Sequence, residues 1–155
     1  ATGISNCLDG ATGKPRWSVN ILEDNETKNA LHGVCGSPLV FGDYVVVCPT
    51  GKEGSSLAAY DRRDGRRLWA HGAGEASYSS PLLADVAGVR LILYYNQRGI
   101  AAHDPLTGED LWSYPWSNSE KVVCSQPVVL PGESGGVLLT IEVQTETDSA
   151  DEPAE

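Results

Sequence analysis

Three stretches of this chain share one spacing, and that spacing limits what the chain can fold into. Ala59-Tyr60-Asp61-Arg62-Arg63-Asp64-Gly65-Arg66-Arg67-Leu68-Trp69 returns as Ala102-His103-Asp104-Pro105-Leu106-Thr107-Gly108-Glu109-Asp110-Leu111-Trp112. An earlier copy reads Cys7-Leu8-Asp9-Gly10-Ala11-Thr12-Gly13-Lys14-Pro15-Arg16-Trp17, with cysteine in place of the leading alanine. In all three, glycine follows the aspartate by four residues and tryptophan follows it by eight. Three of the chain's four tryptophans fall on this pattern. Matched intervals in three copies argue for a repeat architecture rather than for unrelated hairpins that share turn chemistry.

Each copy has a physical reading. A small residue ends an apolar strand, as in Leu57-Ala58-Ala59-Tyr60 and Ile100-Ala101-Ala102-His103. The aspartate folds its carboxylate onto the backbone of a turn, and the glycine supplies a positive-φ position there. The returning strand carries the tryptophan, whose large apolar body is worth burying against a neighbouring unit. Asp9, Asp61 and Asp104 are therefore expected to be turn formers rather than catalytic carboxylates or calcium ligands.

A second element keeps step with the first. Ser37-Pro38-Leu39-Val40, Ser80-Pro81-Leu82-Leu83 and Gln126-Pro127-Val128-Val129 are short apolar runs opened by proline, which a strand tolerates at its first residue. Pro38 precedes Asp61 by 23 residues, Pro81 precedes Asp104 by 23, and Trp69 precedes Trp112 by 43. A period near 43 with four short strands is the length class of a propeller blade.

The expected fold is all-β: a partial β-propeller with about two complete four-stranded antiparallel blades and incomplete blades at both ends. The repeats cover residues 1–143, with complete blades near 32–71 and 75–114 and partial blades near 3–19 and 124–143. Strands are expected near 37–41, 44–49, 56–61 and 67–70 in one blade, and near 80–84, 89–95, 99–103 and 110–113 in the next. Glu23 to Asn29 reads as a polar insertion that lengthens one blade crossing. Residues 144–155 read as an acidic disordered tail, because the aspartate motif due near position 150 is replaced by Thr147-Asp148-Ser149-Ala150-Asp151-Glu152.

Composition fits this reading. Seventeen glycines and nine prolines among 155 residues suit a turn-rich β fold. A formal net charge of -10 argues against a nucleic-acid partner, and no apolar run is long enough to span a membrane. Six of the acidic residues lie at or beyond Glu142, so the body is only mildly acidic. The chain opens on alanine and holds no methionine, from which a fragment or a processed product is expected. Incomplete end blades expose strand edges and apolar faces. A longer polypeptide is the simpler expectation, with association of several copies as the weaker one.

The pattern Ala-x-Asp-x-x-x-Gly-x-x-x-Trp resembles the tryptophan-docking motif of quinoprotein-type β-propellers, the pyrroloquinoline quinone (PQQ)-like repeat family. The resemblance spans residues 4–143; Ala59–Trp69 and Ala102–Trp112 fit at every fixed position, and the first copy departs at Cys7. It implies that Asp9, Gly13, Trp17, Asp61, Gly65, Trp69, Asp104, Gly108 and Trp112 are structural blade-docking residues, with the tryptophans anchoring between blades. The family includes PQQ-dependent alcohol dehydrogenases and non-enzymatic relatives such as the outer-membrane assembly lipoprotein. The expected function is a non-catalytic scaffold that binds a protein partner or the remaining blades of its own propeller, with no catalytic residue, metal ligand or cofactor. The alternative is a piece of a quinoprotein alcohol dehydrogenase, which would use PQQ and calcium. Alcohol-oxidising members carry an adjacent cysteine pair near the cofactor, and this sequence has none. By resemblance alone, the compartment is the periplasm or cell surface.

The remaining candidates read as structural. Cys7, Cys35, Cys48 and Cys124 include no C-x-x-C and are expected to be buried free thiols, with a Cys35–Cys48 disulfide left open. Cys35 and Cys124 each stand three residues before a blade-opening proline, two blades apart. His32, His71 and His103 do not recur at equivalent positions, and His103 reads as an ordinary strand histidine. Arg62, Arg63, Arg66 and Arg67 read as a solvated hairpin tip, with an anionic partner as the less favoured reading.

Overall fold

The computed structural model describes residues 2–50, 54–75, 77–116, 123–130 and 136–138. Twelve strands and one helical turn are present among them. Strands β1 (Ile4–Leu8) and β2 (Pro15–Asn20) form an antiparallel hairpin, followed by the single turn α1 (Ile21–Asp24). Strands β3 (Leu39–Phe41), β4 (Tyr44–Val47), β5 (Leu57–Asp61) and β6 (Arg67–His71) form one antiparallel sheet in chain order. Strands β7 (Leu82–Val86), β8 (Val89–Asn96), β9 (Gly99–His103) and β10 (Asp110–Pro115) form a second of the same topology. Strands β11 (Val128–Leu130) and β12 (Gly136–Leu138) begin a third. The molecule is thus an arc of a propeller, with two four-stranded blades and two two-stranded pieces. The segment expected to form the acidic tail lies outside the described residues.

The strand alternation explains the stacking. In β5 every residue is buried, because successive side chains point to opposite faces and both faces are covered. Leu57 and Ala59 join Val46, Cys48 and Trp69 on one face, where Ile92 and Tyr94 of the next sheet meet them. Ala58 and Tyr60 join Val47 on the other face, under Ile21. Strand β8 repeats the arrangement: Leu91, Leu93 and Tyr95 point away from Ile92 and Tyr94, and Val129 and Val137 of the third piece pack against them. Each blade is therefore a thin slab with two apolar faces, and it is covered only when it has a neighbour on each side.

Two details differ from the expected organisation. The prolines at 38, 81 and 127 stand just before β3, β7 and β11 rather than inside them. The residues around them join the blades: the Ser37 N–H donates to Ser80 Oγ at 2.8 Å, and Ser79 Oγ donates to the Ser125 carbonyl at 2.8 Å. The stretch expected to be a polar crossing is also partly buried. Asn20 caps α1 by accepting from the Leu22 and Glu23 N–H groups, as an N-cap residue should. The turn inserts Ile21, 1% exposed, against Val47, Ala58 and Tyr60. Asn25 is buried and donates to the Ile21 carbonyl and to the Tyr60 hydroxyl, each at 2.8 Å. A hydrophilic sequence hides this plug because its two apolar residues lie just before the charged run.

Candidate functional site

The three aspartate hairpins have one geometry. The N–H of Asp9, Asp61 and Asp104 donates to the carbonyl of Lys14, Arg66 and Glu109 at 2.8, 2.8 and 2.9 Å. The N–H of Gly13, Gly65 and Gly108 donates back to the aspartate carbonyl at 2.8, 2.8 and 2.9 Å. These glycines have φ of +68°, +76° and +78°, the left-handed region in which a Cβ is penalised. The carboxylates turn inward. Asp104 Oδ1 accepts from the N–H groups of Leu106 and Thr107, and Asp9 Oδ1 accepts from those of Ala11 and Thr12. Asp61 Oδ1 accepts from the Arg63 N–H at 2.8 Å, and the Arg63 guanidinium reaches its Oδ2 at 2.6 Å. Arg16 binds Asp9 in the same way at 2.7 Å. The bound guanidinium holds Asp9 and Asp61 well below the usual carboxylate range, and backbone donors lower Asp104.

The tryptophans meet the glycines of the following blade. A Cβ added to Gly65 would lie 2.8 Å from Cε3 of Trp17, and one added to Gly108 would collide with the same edge of Trp69. The glycine thus serves twice, closing its own turn and leaving room for the ring of the preceding repeat. Trp17 Nε1 also donates to the Arg62 carbonyl at 2.9 Å, inside the next motif. The small leading residue belongs to the same contact: Cys7, Ala59 and Ala102 pair across the ladder with Trp17, Trp69 and Trp112, so each ring lies beside a short side chain. Trp69 is 9% exposed. Trp112, expected to be an inter-blade anchor, is 41% exposed, and no described glycine meets it. At the opposite end of the series, nothing lies within 4 Å of the Cβ position at Gly13.

His103 is a strand residue, but its surroundings are more specific than its sequence context suggested. It is fully buried against the preceding blade, and a Cβ added to Gly72 would lie 3.3 Å from its Cε1. Its Nδ1 lies 2.8 Å from Asp110 Oδ1 and 3.2 Å from the Gly108 carbonyl. Both neighbours are acceptors, so Nδ1 carries the proton, and the buried Nε2 has no hydrogen-bond partner. Burial lowers its pKa below the ordinary histidine value, although Asp110 opposes the shift.

The other candidates fall outside any shared site. All four cysteines are free, so the open Cys35–Cys48 disulfide is absent. The expectation of buried thiols holds for Cys48, whose pKa burial pushes up to about 12, but Cys35 and Cys124 are exposed. They sit in the pre-proline connections between blades rather than inside a sheet. Arg62, Arg63, Arg66 and Arg67 are exposed at the β5–β6 end, and three of them are paired locally: Arg62 with Asp43 at 3.6 Å, Arg63 with Asp61, and Arg67 with the Asp24 carbonyl. Among the described residues, no three His, Cys, Asp or Glu side chains converge as metal ligands would. The motif carboxylates are taken up by their own turns and guanidinium partners. Among the described residues, no helix is long and apolar enough to cross a membrane.

The comparisons agree with this architecture. A family model described as outer membrane protein assembly factor BamB matches residues 5–149. Quinoprotein ethanol dehydrogenase of Pseudomonas aeruginosa is 26% identical over 123 residues, which is 70% of this chain and 19% of that protein. The crystal structure of BamB from Moraxella catarrhalis superposes with a TM-score of 0.53 at 26% identity, covering 74% of this chain and 31% of that one. The chain spans about a fifth of the length of the dehydrogenase and under a third of the BamB structure. With blades, repeated docking geometry and family match in accord, the chain belongs to the PQQ-like β-propeller repeat family represented by outer membrane protein assembly factor BamB.

Proposed function

We propose that the chain is a non-catalytic propeller module whose repeat motif builds a rigid arc and whose outer surfaces bind protein. The observation that carries this reading is how the motif is used. Its aspartates close turns, and its glycines and the rings of Trp17 and Trp69 join blade to blade. In this reading Asp9, Gly13, Trp17, Asp61, Gly65, Trp69, Asp104, Gly108 and Trp112 are docking residues, and the arc is part of a larger propeller. The likeness to a BamB structure, together with the match to the family model described as an outer membrane protein assembly factor, supports a protein-interaction role.

The similarity to a quinoprotein ethanol dehydrogenase favours a second reading, a piece of an alcohol-oxidising propeller. There PQQ with calcium would supply the redox chemistry. Titrating the purified full-length polypeptide with PQQ and calcium, followed by absorbance and by dye-linked alcohol oxidation, separates the two. The scaffold reading expects neither quinone uptake nor turnover; stoichiometric uptake with alcohol oxidation would replace it by the dehydrogenase reading.

A further inference from the structure

The first two seams between blades are built on one plan and finished differently. In each, two short side chains on the last two strands of a blade face the blade before it: Ala58 opposite Ala70, then Ala101 opposite Ser113. In the first seam the chain covers this pair itself. The crossing from Trp17 to Pro38 takes 21 residues, long enough to lay Ile21 of α1 against Ala58 and Ala70. Arg67 reaches across to the Asp24 carbonyl and to Asn25 Oδ1. The crossing from Trp69 to Pro81 takes only 12 residues, and its described part holds no such turn. Beside Ala101 and Ser113 there is instead a cleft of about 250 Å³, with Ala73 of the crossing on its other side.

The walls of this cleft are fixed. Asn96, 4% exposed, donates to the Ala73 carbonyl at 2.9 Å and accepts from the Arg98 and Gly99 N–H groups. Arg98, also in the wall, lays its stem along Gly74, where a Cβ would meet it at 3.1 Å. The charge is reversed from one seam to the next. Arg67 stands six residues after Asp61, and Asp110 stands six residues after Asp104. Asp110 lines the cleft with its side chain 47% exposed. One oxygen accepts from His103 Nδ1 at 2.8 Å, and the other meets no partner among the described residues. Asp9, Asp61 and Asp85, by contrast, each hold an arginine of their own chain. A carboxylate left without a cation, at a cleft with alanine walls, is matched by a cation on an aliphatic stem.

We propose that this cleft receives an arginine or lysine side chain from a protein partner, its stem along Ala73 and Ala101 and its cationic head on the open oxygen of Asp110. Both blades that form the seam are complete, so further blades at either end of the arc add nothing to its walls. The inference rests on the protein-binding reading above and gives it one place and one chemistry.

Methyl-TROSY spectra of the full-length polypeptide, labelled at alanine methyls, test it. Ala73 and Ala101 report on the cleft, and Ala58, under Ile21 in the other seam, is the control. The probes are N-acetylated, N-methylamidated arginine and lysine, set against norleucine blocked in the same way, which keeps a stem and lacks the charge. The expected result is saturable shifts of Ala73 and Ala101 at millimolar concentrations of either cation, with Ala58 unmoved and norleucine without effect. Asp110→Asn keeps the shape, removes the charge and is expected to weaken binding about fivefold or more. Asp85→Asn, on the same blade, should leave binding unchanged. Ser113→Leu narrows the cleft without touching a charge and should abolish the shifts, while an unshifted Ala58 methyl shows that each variant keeps its fold. No shift with either cation, equal shifts with norleucine, or binding indifferent to Asp110→Asn overturns the proposal. So does blocked glutamate moving the same methyls and losing its effect in Arg98→Ala, since the cleft would then take an anion. Quinone titration of the same polypeptide reports on the scaffold reading separately, so the two can fail apart.

Discussion

Trp69 and Trp112 hold the same place in the motif and differ in what covers them. Trp69→Ala opens a hole between two blades and should cost about 3–5 kcal/mol in denaturant unfolding. Trp112→Ala, at a ring that is 41% exposed, should change stability by less than about 1 kcal/mol, as exposed substitutions do. A large loss there would mean that the ring is covered in solution. The titratable residues give a second test. His103 is neutral in the fold with a lowered pKa, so the unfolded chain takes up its proton first and stability falls as pH drops below about 6.5. The motif carboxylates have lowered folded pKa values, so their contribution is present above about pH 4 and is lost as pH falls further. Urea midpoints between pH 3 and 8 should therefore decline in two stages, and His103→Gln should flatten the upper one while leaving the lower. Asp110 and His71, which act on His103, stay in place in that variant.

The elements differ in how far local sequence determines them. The aspartate hairpins are written in eleven residues, and their strands stand within a residue or two of where periodicity puts them. The α1 plug depends on longer-range partners. Its four residues could not hold a helix alone, since nucleation is unfavourable and short helices are marginal in water. What keeps it is Ile21 against Val47 and Tyr60, together with the Asn25 bridge to the Tyr60 hydroxyl. Ile21→Ala should cost about 2–4 kcal/mol by leaving a cavity in that interface. Asn25→Leu should cost about 1–3 kcal/mol, because it removes the buried amide's bonds to the Ile21 carbonyl and the Tyr60 hydroxyl. Equilibrium urea unfolding checks both. An effect below about 0.5 kcal/mol for either would show that the crossing is a loosely attached linker after all.

At the scale of the molecule, stability is a sum over blade faces, each needing a neighbour. The outer face of the second blade, with Leu91, Leu93, Tyr95 and Ile100, is covered by Val123, Val129 and Val137. Ending the chain after Trp116 should uncover it, and the shortened protein is expected to bind a hydrophobic dye such as ANS more strongly and to aggregate as its concentration rises. Unchanged dye binding would mean that the third piece contributes little to the core.

The sequence by itself determined the repeat, the strand order within each blade and the turn roles of Asp9, Asp61 and Asp104, because these depend on contacts within eleven residues and on φ values that only certain side chains accept. It marked Gly13, Gly65 and Gly108 as turn glycines, but not Gly65 and Gly108 as seats for a ring some three or four dozen positions earlier, since nothing local records what lies above a missing Cβ. The tertiary structure alone decided that Trp69 is covered and Trp112 exposed, that His103 is buried beside Asp110, and that Ile21 fills a gap. Burial belongs to pairs of surfaces, and identical motifs differ in it when one meets a neighbour and the other meets none among the described residues.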